Sequence, residues 1–277
     1  MQIGIFPTTF PRATLAETLD AMVALDLYAS QVDLGITGLP DLPEAIDPAA
    51  VARIRQAFDS RGITMNAVAG HFNMVHPDPR VRQAGLRSLQ AIAGACAGFG
   101  TSIITLCTGT RNPNSMWRPH PDNRSPEAWR DLVTSLETAL AIADEHGVTL
   151  AFEPEVNNVI DSPQRARRII DELGSPRLKV VIDGANIFHQ GELPHMTRIL
   201  TEAIDLLGKD IVLAHAKDLD HDGDAGHLAA GTGLLDWELY LRLLRDSGYD
   251  GAIILHGLTE AQVPGCVAFL RAKADFS

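Results

Sequence analysis

Short apolar runs alternate along the chain with longer stretches whose apolar residues recur at helical spacing. The runs suited to strands lie at 2–6, 30–34, 63–68, 102–107, 148–153, 178–183, 211–215 and 252–256. Helix-period segments fall near 14–27, 48–61, 79–98, 126–146, 162–173, 192–207, 236–247 and 263–274. Strict alternation of this kind predicts an α/β protein in which crossover helices close a parallel sheet, a (β/α)8 TIM barrel. Capping chemistry supports the helix starts. Asp47-Pro48, Asp78-Pro79, Ser125-Pro126 and Ser162-Pro163 each place a capping side chain before a proline suited to the first helical position. His146-Gly147 supplies a helix stop. No Ser/Gly-rich linker divides the chain, so a single domain over 1–277 is expected.

Four of the later strand candidates end on residues that bind metals: Glu153, Asp183, His215 and His256. Successive offsets of 30, 32 and 41 residues leave room for a strand, a helix and two loops each time. In a parallel barrel all strands open their C-terminal ends onto one face, so these side chains converge there. Each alone has a structural explanation, as a helix cap or a hydrogen-bonded histidine. Together they form a mixed oxygen and nitrogen set suited to Mn²⁺, Co²⁺ or Zn²⁺. A cation would also relieve the repulsion between two buried carboxylates. Loops before strands are short, whereas about 18 residues follow strand four and about 20 follow strand seven, against a usual 2–6. Both long loops belong to the catalytic face of such a barrel.

Composition narrows the function classes. With 277 residues, of which 45% are hydrophobic, the chain fits the roughly 250 residues such a barrel needs. A net charge of −12 argues against nucleic acid and anionic membrane surfaces as partners. The three cysteines, Cys96, Cys107 and Cys266, suit neither a disulfide framework nor a thiolate zinc site. The opening MQIGIFPTTF lacks a basic region and a long apolar core, and no apolar run approaches the roughly 18 residues that span a bilayer. A cytoplasmic location is expected on these grounds.

Four segments carry a resemblance to a known family: Phe152-Glu153-Pro154, Ile182-Asp183-Gly184-Ala185-Asn186, His215-Ala216-Lys217-Asp218 and the run from Gly231 to Trp237. Over nearly its whole length the chain resembles the sugar isomerase/epimerase group with xylose-isomerase-like TIM barrels. That group includes ketose 3-epimerases, hydroxypyruvate isomerase and inosose dehydratase, and abasic-site endonucleases share its fold. The resemblance implies one divalent metal held by a Glu, an Asp, a His and a final Glu, of which the first three map onto Glu153, Asp183 and His215. In the epimerases the first and last Glu exchange a proton on opposite faces of the substrate carbon. Here the last position reads His256, which can still bind metal through a neutral ring nitrogen and move a proton. Glu260, four residues on, is either a replacement or a solvated loop residue.

Lys217 shares a face with His215 in extended backbone and is either an electrophile or the partner of Asp183, Asp218 or Glu155. The resemblance favours the first, since His-x-Lys-Asp recurs in the family. It also implies a substrate-hydroxyl contact at Asn186, a residue otherwise suited to capping; His189 reads as a surface residue. After strand three, His71 and Asn73 either bond sugar hydroxyls or tie down their own loop. In the loop after strand four, Trp117 and Arg111 suit a lid that covers a sugar and grips an anion, or an oligomer contact. Gly231-Thr232-Gly233 stands where barrels often bind phosphate, but the acids from Asp218 to Asp224 would repel one, which favours an unphosphorylated substrate.

The leading expectation is a metal-dependent isomerase or epimerase of a small sugar, keto-sugar or polyol-derived substrate, working through an enediolate. Glu153 would be the base, with His256 or Lys217 returning the proton. A lyase on the same barrel, a dehydratase or a 3-keto-glycoside deglycosidase, is the alternative that the His256 departure favours. An abasic-site endonuclease conflicts with the charge, and a non-catalytic sugar-binding barrel requires that no metal bind.

Overall fold

Gly100, Gly147 and Gly174 each end a helix in the left-handed region, at φ of 81°, 69° and 59°, and turn the chain towards the next strand. At the other helix ends, Asp47, Asp78, Ser125 and Ser162 accept hydrogen bonds from first-turn backbone N–H groups, each followed by proline. The computed structural model describes residues 1–273. Its strands are β1 (Gln2–Ile5), β2 (Ala29–Val32), β3 (Thr64–Ala69), β4 (Ile103–Cys107), β5 (Thr149–Glu153), β6 (Leu178–Asp183), β7 (Ile211–Asp218), β8 (Leu228–Ala229) and β9 (Ala252–Leu255). Its helices are α1 (Leu15–Val23), α2 (Pro48–Asp59), α3 (Pro79–Phe99), α4 (Pro126–His146), α5 (Pro163–Leu173), α6 (Met196–Leu207), α7 (Trp237–Asp246) and α8 (Val263–Lys273). The last residue of the predicted 263–274 helix, and the last four of the predicted 1–277 domain, lie outside the described residues.

All eight barrel strands run parallel. β1 to β7 pair in sequence order, and β9 closes the ring between β7 and β1. The chain is therefore a (β/α)8 TIM barrel, as its pattern predicts. One strand differs from expectation. β7 continues beyond His215 to Asp218 because Leu228–Ala229 folds back on it antiparallel, pairing Lys217 with Ala229 and Asp218 with Leu228. Backbone groups that would otherwise end at the barrel rim gain partners there.

Strand parity decides what faces inward. Ala29, Ala67, Ala151, Val181, Leu213, Ala252 and Ile254 pack together inside the barrel with Phe6. Leu150, Phe152, Val180, Ile182 and Ile253 pack instead in the layer shared with the helices. Side chains alternate along a strand, so two residues past an interior position comes another. Stepping on from Ala151, Val181, Leu213 and Ile254 reaches Glu153, Asp183, His215 and His256. The same step from Ala29 and Ile103 reaches Gln31 and Thr105.

Candidate active site

Asp183 and His215 are directly paired neighbours across β6 and β7. Beneath them the Tyr240 hydroxyl lies 3.1 Å from the Ile182 carbonyl and 3.2 Å from that of His215, tying the two strand ends together. His215 Nδ1 is 3.4 Å from Glu153 Oε2 and 3.8 Å from Asp183 Oδ2. His256 follows β9, its backbone N–H donating to Ala216, and its ring centroid stands 5.4 Å from that of His215. One ligand atom each from Asp183, His215 and His256 falls within 4.8 Å of the others. Glu153 flanks this trio at His215, where the Asn186 side-chain N–H donates to its Oε1.

His215 Nδ1 and His256 Nδ1 are buried and lack a hydrogen-bond partner among the described residues, and buried Asp183 Oδ2 has only the Lys217 ammonium, at 3.2 Å. Two buried imidazole nitrogens left unpartnered beside that carboxylate would be costly without a ligand. An oxygen and two imidazole nitrogens, with Glu153 beside them, suit a divalent cation of intermediate hardness. The second nitrogen of His215 faces Gln31 Oε1 at 2.8 Å, the outer contact that commonly orients a metal-binding imidazole. The residues present therefore fit a metal. A second trio, Asp220, His221 and His227, is exposed, and Asp220 already holds His221 at 2.5 Å.

Charge in the site is unevenly distributed. Burial alone would raise the Glu153 carboxyl, but His215, Lys217 and His256 outweigh it and hold Glu153 below the usual carboxylate range. Burial pulls His256 well below 6.5, helped by Lys217 and His215, so the ring is neutral. His71 is drawn down to about 4, mainly by burial. Glu155 is pushed up to about 8 by burial and by Glu153, so it is largely protonated at neutral pH. Burial opposes the charge on Lys217, yet Asp183, Glu153 and Glu155 prevail and raise it, keeping it an ammonium.

These groups open into a cavity of about 910 Å³ at the C-terminal ends of the strands. His71, Trp117, Glu153, Asn186, Lys217 and His256 all line it. His71 and Trp117 meet edge to face at 6.1 Å. Asn186 lies between Glu153 and the Gly226 N–H, so its amide orients the Glu153 carboxylate. Two expected substrate contacts are placed otherwise. Asn73 is buried and spends its amide on Thr110 and Val75, tying the loop after β3 to the loop after β4. Arg111 binds the Asp131 carboxylate at 2.6 Å and the Val75 carbonyl at 3.0 Å, and neither residue lines the cavity. Glu260 pairs with Arg12 at 2.6 Å, and His189 lies towards Asp161, at 3.8 Å.

The Gly231–Trp237 run is organised by Asp218 rather than open to a phosphate. That buried carboxylate accepts from Gly231 N, Leu235 N and Trp237 Nε1 at 3.0, 2.9 and 2.9 Å. A larger groove of about 1180 Å³ runs outside the barrel between α2 and α3, past Val51, Ala91 and Gly98. Its charged rim is paired with itself, as Arg55 with Asp59 and Arg87 with Glu44, and it holds none of the orphaned ligand atoms. Depth of chemistry places the site at the barrel mouth, not there. Gln31, Glu155, Asp224 and Phe6 also belong to the site or its support, although only Glu155 stands near a recognised motif. Gln31 does carry a signal, as a polar residue at an interior position of a short strand.

Comparison with known proteins agrees with this architecture. A family model described as xylose isomerase-like TIM barrel matches residues 23–271. A crystal structure of 3-keto-D-glucoside 4-epimerase YcjR from E. coli is 19% identical with a TM-score of 0.74, over 98% of this chain and 99% of that one. The probable 3-DHS dehydratase AsbF from Bacillus anthracis is 11% identical with a TM-score of 0.76, over 99% and 100%. The IolI protein with a bound zinc atom is 16% identical with a TM-score of 0.75, over the whole of both chains. At these identities the solved structures speak for the fold alone. The family match spans most of the chain, and the protein belongs to the xylose isomerase-like TIM barrel family.

Proposed function

We propose that the protein is a divalent-metal-dependent isomerase or epimerase acting on a small neutral sugar, keto-sugar or polyol-derived substrate. The observation that carries this reading is Glu153 set beside convergent ligand atoms of Asp183, His215 and His256, two of them unpartnered, at the floor of a cavity. Asp183, His215 and His256, with Glu153 at the edge, would hold the metal. When bound, such a cation acts as a Lewis acid that polarises a carbonyl and offsets charge developing on its oxygen. Glu153, held at Oε1 by Asn186, takes the proton from the carbon next to that carbonyl, and the freed electron pair shifts towards oxygen. The Lys217 ammonium stabilises that charge and is the group placed to return a proton. Trp117 and Phe6 offer apolar faces to a sugar's carbons.

Neutrality of the substrate follows from the cavity's charges. Lys217 is engaged by Asp183, and Asp33 and Asp224 line the mouth. An anionic group would find no free cation among these lining residues.

A second reading, elimination of water or an aglycone, gains from the His256 position. A site with one carboxylate base and a different group opposite is not matched for exchange on two faces of one carbon. The names of the fold neighbours support both chemistries, since they include an epimerase and a probable dehydratase. Elemental analysis of the purified protein, followed by incubation of candidate ketoses in D₂O, decides the matter. Deuterium entering recovered sugar supports isomerisation, and loss of water or aglycone supports the lyase. Absence of stoichiometric metal, with no exchange, would leave a binding role. Glu153→Gln should lower either activity by about 10²–10⁴-fold.

A further inference from the structure

A continuous chain of hydrogen bonds crosses the barrel interior from the metal-facing imidazole to the substrate-facing one. His215 Nε2 meets Gln31 Oε1 at 2.8 Å, Gln31 Nε2 donates to Thr105 Oγ1 at 3.0 Å, and Thr105 Oγ1 meets His71 Nε2 at 3.0 Å. Gln31 is fully buried and Thr105 is 1% exposed, so solvent does not compete for these bonds. Polar groups on this interior face would be unfavourable without such partners.

We infer that Gln31 and Thr105 are positioning residues that fix the tautomer of His71 according to the coordination of His215. The inference rests on the metal reading above. A cation bound at His215 Nδ1 leaves the ring proton on Nε2. That N–H requires an acceptor, so the Gln31 amide turns its oxygen to His215 and its nitrogen to Thr105. Thr105 Oγ1, accepting from Gln31, has its own proton left to donate, and His71 Nε2 receives it. His71 must then carry its proton on Nδ1, which has no protein partner among the described residues. The pocket therefore presents an N–H donor at His71, selecting a substrate atom that accepts there, such as a keto or ring oxygen. With the opposite polarity His71 would present a lone pair and select a hydroxyl donor. The low proton affinity of His71 keeps the ring neutral, so the choice of tautomer decides its role.

The test uses the full chain labelled with ¹⁵N-histidine, with Zn²⁺ as the probe and long-range ¹H–¹⁵N spectra as the readout of ring protonation. Zinc-loaded protein should show His215 with its proton on Nε2 and His71 with its proton on Nδ1. Thr105→Val leaves the His215–Gln31 bond intact, so zinc affinity should change by less than about twofold while His71 loses its single tautomer. Gln31→Leu removes both links, and zinc affinity should fall about 10–100-fold. Zinc bound at His215 with the His71 proton on Nε2 would overturn the wiring alone. So would a Thr105→Val protein in which His71 is unchanged. Failure of the wild-type protein to bind zinc through His215 would overturn the metal reading, and the wiring with it.

Discussion

Lys217 Nζ stands 3.2 Å from Asp183 Oδ2, while the other Asp183 oxygen accepts the Ala185 N–H at 2.9 Å. The ammonium and a metal would therefore share one carboxylate oxygen. Gly257, at φ 68°, makes this placement feasible, since a Cβ there would come within 3.1 Å of the Lys217 side chain. Lys217 thus neutralises Asp183 and at the same time repels a cation from the neighbouring ligand atoms.

That double role gives Lys217→Met effects of opposite sign. Metal affinity should rise by about tenfold or more as the repelling charge is removed. Stability in chelator should fall by about 3 kcal/mol, because a buried carboxylate is left uncompensated. Turnover should fall, since the group that stabilises the oxygen is lost. Chelator competition and thermal scans with and without EDTA measure the first two effects. A variant with weaker metal binding would show that Lys217 supports the cation rather than opposing it.

Asp218, the next residue, points the other way and holds the loop instead of the chemistry. Asp218→Ala would strand the Gly231 and Leu235 N–H groups and the Trp237 indole. Together these losses should cost about 3 kcal/mol. Hydrogen exchange should quicken across 219–236 while β5 and β6 remain protected, and urea unfolding gives the magnitude. Unchanged protection in the loop would mean that the β7–β8 pairing alone holds it.

The group of Glu153, Asp183, His215 and His256 was legible because each residue stands two places past an inward-facing strand position, and parity sends it inward. Local sequence carries both facts. Arg111 and Asn73 show where that information stops. Their partners, Asp131 on α4 and Thr110 in the next loop, are set by how the loops fold over one another, which no spacing encodes. The extension of β7 depends likewise on a returning segment that arrives after an irregular loop. Gln31 and Thr105 fall between these cases. A polar residue at an inward-facing strand position is visible, but the chain linking both to His215 and His71 appears only once the barrel closes.

Acid titration should expose Asp33, which lines the mouth beyond β2. Burial and the neighbouring Asp41 push its carboxyl up to about 6, against a hydrogen bond with Thr8. A carboxyl raised on folding favours the native state below its unfolded value near 3.8, and that contribution is lost as pH rises through about 6. Asp33→Asn carries no such penalty. Relative to the parent, its stability should therefore improve by about 2–3 kcal/mol between pH 4 and pH 7, read from urea unfolding at several pH values. A difference that does not vary with pH would show that Asp33 ionises as freely folded as unfolded.

Substitution of His256 separates the two proposed chemistries. Its ring packs on Phe6, with centroids 4.9 Å apart, and brings a neutral nitrogen to the ligand cluster. His256→Glu replaces that nitrogen with carboxylate oxygen, which remains an acceptable donor to a divalent cation. Stoichiometric metal should be retained. The new carboxylate would also supply a second base across the cluster from Glu153, the arrangement that exchange on two faces of one carbon requires. Deuterium exchange of free ketoses in D₂O should rise relative to elimination, measured side by side on the same protein. Loss of metal with no exchange would show that the imidazole nitrogen is itself required and that a carboxylate does not stand in for it there. Glu260 offers no replacement in that case, since its ion pair with Arg12 keeps it engaged elsewhere.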